Sequence, residues 1–296
     1  MLNPVRFVYE TVAARLASAG LIDRGRGERV AGLAWPRFLT MFARDLYRVA
    51  DIAMVGLAIG PAAIAGLAYA SIYWGLANAF SLGLAGGTIS QVSQRFGAGT
   101  PRELDLAVKQ SVWIGLLITV PFVLVYWTFA EPLVGLVGDD PTTVALGAAY
   151  LQLLSLALFF NVLNQAASRT LAGADDTWIA MSLRATGALL NIVLNAIFIF
   201  GLGMGVQGAA LGTVLAEGTI TLCLAWGFVG GHLPLVGDFP VTLSIQRPYL
   251  DVELSKQLLR ISPPLIAEQL ARSFARFPLF AILALFGPTI VASFEV

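Results

Sequence analysis

The sequence predicts an all-α polytopic membrane protein, built as a six-helix lobe followed by the first helix of a second lobe that is mostly absent. Three observations predict it. The 296 residues are 57% hydrophobic and only 12% charged, against roughly 25% charged in soluble domains. Mean hydropathy is +0.79. Seven apolar stretches reach the roughly 20 residues a helix needs to cross hydrocarbon: about 33–57, 62–90, 109–130, 144–168, 179–201, 207–230 and 258–286, with an eighth beginning at Thr289. Net charge is zero, so the basic footprint of a nucleic-acid binder is missing. The lone Cys223 and lone His232 exclude a disulfide framework and the usual Cys- or multi-His zinc sites.

Residues 1–32 form a cytoplasmic N-terminal segment. They lack the apolar core of a signal peptide. Val5, Val8, Val12 and Leu16 recur at helical spacing, which suits a helix on the membrane surface or a short helix docked on the bundle. Residues 33–230 hold spans 1–6. The loops near 58–61, 131–143, 202–206 and 287–288 contain no Lys or Arg, whereas the other side carries Arg6, Arg15, Arg24, Arg95, Arg102, Lys109, Arg169, Arg247, Lys256 and Arg260. Cytoplasmic loops are enriched in basic residues, so the expected location is the cell membrane with the N-terminus cytoplasmic. Trp35, Trp74, Trp113, Trp127 and Trp178 lie near span ends, where aromatic rings anchor helices. Residues 231–257, with Pro234, Gly237, Pro240 and Pro248, read as a cytoplasmic linker, with a helix start at Asp251. Residues 258–296 are span 7 and a stub of span 8.

Spans 1 and 7 repeat. Pro36, Ala43, Arg44, Arg48, Ala53 and Leu57 return as Pro264, Ala271, Arg272, Arg276, Ala281 and Leu285, all at one offset. Both copies run in the same direction, a parallel repeat of the kind found in secondary carriers. The chain therefore reads as a truncated protein, or as one that completes its bundle by other means such as a second lobe elsewhere, and span 7 is expected to stand apart from spans 1–6 beyond the linker.

Span 1 ends in Ala50-Asp51-Ile52-Ala53-Met54-Val55-Gly56. Span 2 ends in Ser93-Gln94-Arg95-Phe96-Gly97. Span 4 leads into Arg169-Thr170-Leu171-Ala172-Gly173-Ala174-Asp175. Span 5 holds Asn191-Ile192-Val193-Leu194-Asn195, and span 6 opens with Gly205-Val206-Gln207-Gly208-Ala209-Ala210. In this order and at these intervals the sequence resembles the multidrug and toxic compound extrusion (MATE) transporters. The resemblance implies twelve helices in two six-helix lobes and a secondary-active antiporter that exports organic solutes in exchange for Na⁺ or H⁺. It implies a small-molecule substrate, contact with membrane lipid, no organic cofactor and no enzyme activity.

Asp51 is the leading candidate residue, because an ionisable group inside a span is expensive and marks function by default. As an acid it can carry H⁺; as an anion it can ligate Na⁺. The competing role is a structural ion pair with Arg48, three residues earlier. Asn191 and Asn195 share one face of span 5; their amides can ligate a cation, with Na⁺ at Asp51 and Asn191, or join one helix to another. The resemblance places Tyr150 and Thr213 as further polar partners of this cation-coupling set. Some branches of the family have an aspartate where this chain has Asn195. Arg48, Arg276 and Glu217 are candidates for the substrate cavity. These arginines, with Arg44 and Arg272, read first as partners of Asp45, Asp51 and Glu268 or as side chains reaching an interface, and Glu217 reads as facing the cavity or pairing with Arg184. Pro36 and Pro264 each remove a helical hydrogen bond and favour a kink. Gly83, Gly86 and Gly87 have the small-residue spacing of close helix packing.

Three alternatives accompany the antiporter reading. The intramembrane arginines would suit a lipid-linked substrate flippase of a related group. A nonfunctional remnant of a split gene would explain the missing lobe. A seven-helix receptor or retinal pump is disfavoured by the expected cytoplasmic N-terminus and by a span 7 without lysine. No P-loop is present, which excludes ATP-driven pumping by that motif.

Overall fold

The computed structural model describes residues 47, 49–246, 251–274 and 276–295, with positions 276, 277 and 295 described by backbone only. All belong to one compact unit, Tyr47–Val296. Arg44, Arg48 and Pro36 lie outside the described residues, as does the segment 1–32.

Ten helices account for nearly all of the described chain: α1 (Val49–Ala58), α2 (Pro61–Gly97), α3 (Pro101–Thr128), the short α4 (Ala130–Gly135), α5 (Pro141–Gly173), α6 (Trp178–Ala196), α7 (Gly205–Gly230), α8 (Val252–Phe274), α9 (Arg276–Ala284) and α10 (Pro288–Glu295). Proline opens α2, α3 and α5, where its missing N–H costs nothing and its fixed φ suits the first turn. α6 runs on into a wider π-turn at Ile197–Gly201. Gly231 ends α7 at φ 74°, a left-handed conformation that glycine adopts without strain.

Asp140 caps α5: its Oδ2 accepts from the Thr143 amide (2.8 Å) and hydroxyl (2.6 Å). These bonds hold its carboxyl below the usual range, because they favour the ionised form. A group whose folded pKa is depressed stabilises the fold above its unfolded pKa, and that contribution disappears as pH falls through the folded value. Asp140→Asn should keep the cap but remove this acid-side dependence. The thermal midpoints of the two proteins should then converge as the pH is lowered below the ordinary aspartate range.

Among the described residues, five helices are long and apolar enough to cross a membrane: α2, α3, α5, α6 with its π-turn, and α7. They match predicted spans 2–6, with α2 and α3 extended at their ends. Of predicted span 1, only the part from Tyr47 onward is described, and it holds the short apolar helix Val49–Ala58. Predicted span 7 falls on α8 and α9, and α8 carries Glu253, Lys256, Arg260, Glu268 and Arg272. Pro264, beside Pro263, lies inside α8, and the helix continues past both.

α2 is the central helix, packed on α3, α5, α8 and α10, while α5 also packs on α3 and α7, and α6 on α7. Gly66 and Gly147 let the α2 and α5 backbones touch: a Cβ on Gly66 would stand 2.8 Å from the Gly147 nitrogen. Tyr126 donates to the Tyr73 carbonyl (2.7 Å), and Tyr73 in turn to that of Leu133, which ties α2, α3 and α4 together at one end.

The expectation that span 7 stands apart is corrected by the contact of α8 with α2. The Cβ positions of Gly86 and Gly87 fall 2.6–2.7 Å from Leu265 and Leu258 side-chain carbons, and that of Gly83 lies 2.7 Å from the Ile266 nitrogen. At one end Gln91 donates to the Leu254 carbonyl (3.4 Å) and Arg95 to Gln257 (3.3 Å). At the other Ser273 donates to the Gly75 carbonyl (3.2 Å).

The linker is docked as well. Strands β1 (His232–Leu233) and β2 (Gly237–Asp238) pair antiparallel, and Phe239 packs edge-on against Phe228. The Leu243 amide donates to the Phe228 carbonyl (2.8 Å), the Ser244 amide to Asp105 (3.0 Å), and Lys109 to the Gln246 carbonyl (2.9 Å). Asp251 caps α8 by accepting from the amides of Glu253 (2.9 Å) and Leu254 (3.0 Å), at the helix start read from the sequence.

Candidate functional site

Asp51 stands in the first turn of α1 and is only 7% exposed. Asn191 and Asn195, four apart on α6, present one face to it, as their spacing dictates. Asn195 Nδ2 donates to Asp51 Oδ1 and to Asn191 Oδ1, the latter at 2.9 Å. Asn191 Nδ2 donates to Thr213 Oγ1 of α7 (3.1 Å), and Thr213 donates to the Ala209 carbonyl (3.1 Å). Tyr150 of α5, 7% exposed, lies within electrostatic range of Asp51. The structure thus gathers all five predicted residues, Asp51, Asn191, Asn195, Tyr150 and Thr213, from four helices into one buried polar cluster.

Tyr47 was not predicted. Its hydroxyl lies 3.3 Å from Thr213 Oγ1. The signal was its register: Tyr47 precedes Asp51 by four residues, one turn away on the same face.

Asn195 is fully buried, and its Oδ1 has no hydrogen-bond partner. A buried amide oxygen left unpaired is costly, and here it belongs to the residue that already grips Asp51. The oxygens of Asp51, Asn191 and Thr213 are of the kind a hard cation takes, while Asn195 turns its nitrogen to Asp51 and its oxygen to Gly212 of α7. The chemistry of the cluster therefore fits Na⁺, and a single carboxylate among neutral amides and hydroxyls fits H⁺ equally.

Glu217 lies one turn along α7 from Thr213. Its Oε2 accepts from Asn164 Nδ2 of α5 (2.5 Å), and Thr221 donates to Asn164 Oδ1 (3.0 Å). Arg184 lies within electrostatic range of Glu217 and donates to Gln165 Oε1 (2.8 Å) and to Ser168 (3.2 Å). Glu217 is thus held by Asn164, a partner the sequence reading did not single out. Arg272 pairs with Glu268 at 2.8 Å on the same turn of α8, the pairing expected for it. The Arg276 side chain, like Arg48, lies outside the described residues.

The MatE family model matches residues 36–197, more than half of the chain. Among curated proteins, the chain is 28% identical to the "Probable multidrug resistance protein NorM" of Bradyrhizobium diazoefficiens over 81% of its own length and 48% of that protein. Among solved structures, it superposes on an inward-facing conformation of a multidrug resistance MATE family transporter with a TM-score of 0.74 and 29% identity, covering 84% of this chain and 56% of that one. It superposes on an outward-facing conformation of such a transporter with a TM-score of 0.74 and 28% identity, covering 88% and 56%. The chain spans about half the length of the curated relatives it matches.

Proposed function

The chain belongs to the MatE (multidrug and toxic compound extrusion) family, and from that premise we propose that it forms the ion-coupling lobe of a secondary-active antiporter, exporting organic solutes in exchange for Na⁺ or H⁺. The observation that carries the reading is the buried cluster around Asp51, in which Asp51, the one carboxylate of the cluster among the described residues, is held by Asn195 within a set of buried amides and hydroxyls. Asp51 binds and releases the ion, and Asn191, Asn195 and Thr213 supply neutral oxygens and hydrogen bonds around it. Tyr150 and Tyr47 close the cluster. The ion biases two arrangements of the transporter, as a ligand must if it is to drive alternating access. The N-terminus faces the cytoplasm, as the distribution of Lys and Arg supports. Glu217, one turn from the cluster, lines the solute side and contacts a polar or cationic group.

The lipid-linked substrate reading draws on a basic lining, and the pairing of Arg272 with Glu268 weakens it. The test is solute movement in proteoliposomes holding the 296-residue chain, with a fluorescent hydrophobic cation as probe. An imposed Na⁺ or pH gradient should drive the probe against its own gradient. Equal rates with and without either gradient would reject the antiporter reading.

A further inference from the structure

We propose that Gly212 is a positioning residue of the Asp51 cluster: its missing side chain leaves the room in which the Asn195 amide stands between Asp51 and Asn191. The inference rests on the reading of that cluster as the coupling-ion site. Gly212 of α7 faces Asn195 of α6 where the two helices pack together. A Cβ at position 212 would overlap Asn195 Oδ1, and would stand 3.0 Å from its Cγ and 3.2 Å from its backbone nitrogen. Turning the side chain relieves the first two contacts. The third yields only if the helices move apart.

Neither response leaves the cluster intact. Asn195 is fully buried, and its Nδ2 already serves Asp51 and Asn191 together. Turning the amide breaks at least one of these bonds. Separating α7 from α6 stretches the Asn191–Thr213 bond of 3.1 Å, which crosses between the same helices one residue on. Gly208, one turn earlier on α7, is also crowded, with its Cβ position 3.0 Å from the Phe198 carbonyl carbon and 3.1 Å from Met204 Cβ. These nearest neighbours lie outside the cluster, so Gly208 serves as the packing control.

The experiment measures ion binding and thermal unfolding of the purified 296-residue chain in detergent. The probes are radioactive Na⁺ and dye-reported proton uptake, and Asp51→Asn defines the signal that belongs to the site. Gly212→Ala should weaken Asp51-dependent binding about tenfold, the effect of losing a hydrogen bond to a buried charged group. Asn195→Ala should do the same. The double variant should lose far less than a further tenfold relative to Asn195→Ala alone, because the new methyl then meets no side-chain amide and keeps only the 3.2 Å approach to the backbone nitrogen. Gly208→Ala should lower the unfolding midpoint with little change in ion affinity. Losses that multiply in the double variant, or a Gly212→Ala chain that is less stable yet binds normally, would overturn the proposal. If the unmodified chain binds neither ion in an Asp51-dependent way, the coupling-site reading itself falls and takes the proposal with it.

Discussion

Asp51→Asn should reduce gradient-driven solute movement to the level of empty vesicles while leaving the fold intact. Acid and amide are nearly isosteric. The amide oxygen of the new residue can still accept from Asn195 Nδ2, so the bond that joins α1 to α6 survives. What is lost is the full negative charge and the exchangeable proton, and no other carboxylate among the described residues joins the cluster to replace them. Asn191→Ala removes only a neutral donor and acceptor. At about 1–2 kcal/mol for such a bond in a membrane protein, it should weaken coupling roughly tenfold and not abolish it. The competing role for Asp51, neutralising Arg48, predicts a different pattern. Asp51→Asn would then leave a guanidinium uncompensated in the membrane, stability would fall, and Arg48→Gln in the same chain would restore it. Transport and thermal midpoints for the two single variants and the double variant separate the two roles. Full transport by Asp51→Asn would end the coupling role.

The cluster was largely legible in the sequence because each of its parts is local. Asn191 and Asn195 share a face by their four-residue spacing, and Asp51 stands out as a carboxylate within an apolar run. The family resemblance supplied Tyr150 and Thr213. Tyr47 was available by the same four-residue rule but carries no charge to draw notice among so many aromatic residues. The Asn164–Glu217 bond was not legible, because it joins positions 53 residues apart and depends on which faces of α5 and α7 meet. Helical periodicity fixes the face of each helix and not its partner.

The same limit explains span 7. Its apolar run and its repeat relation to span 1 were plain, and the glycines of span 2 were read as a packing surface. That the two belong together was not, since proximity of α2 and α8 follows from the path of the intervening chain. That path was misread because Pro234, Gly237, Pro240 and Pro248 look like an open linker. Phe239 and Leu243 are nevertheless apolar anchors, packed beside the buried residues of α3, α6 and α7. Composition identifies a connection but does not say whether its few apolar residues find a groove.

Gly83→Leu should separate α8 from α2, with a larger effect on stability than any single change in the polar cluster. The Cβ of residue 83 would meet not only the Ile266 side chain but also its backbone, 2.7 Å from the nitrogen and 2.8 Å from Cα. Rotamer changes relieve side-chain crowding; backbone contact yields only to movement of a whole helix. Overpacking of this kind costs about 1–3 kcal/mol when neighbours can adjust, and here the neighbour is a main chain. Gly86→Leu is the control, since its Cβ position meets only the flexible end of Leu265, at 2.6 Å. The two leucines add the same apolar volume on neighbouring turns of one helix face, so a difference between them isolates the backbone clash. Limited proteolysis in the 231–257 connection and the thermal midpoint both report it. Gly83→Leu should cleave faster and unfold at lower temperature, and Gly86→Leu should stay close to the unmodified chain. Because Gln91, Arg95 and Ser273 hold the two ends of the α2–α8 contact, a wedge at position 83 strains those bonds too. Equal protection of the two variants would mean that α8 does not lie on the glycine face of α2.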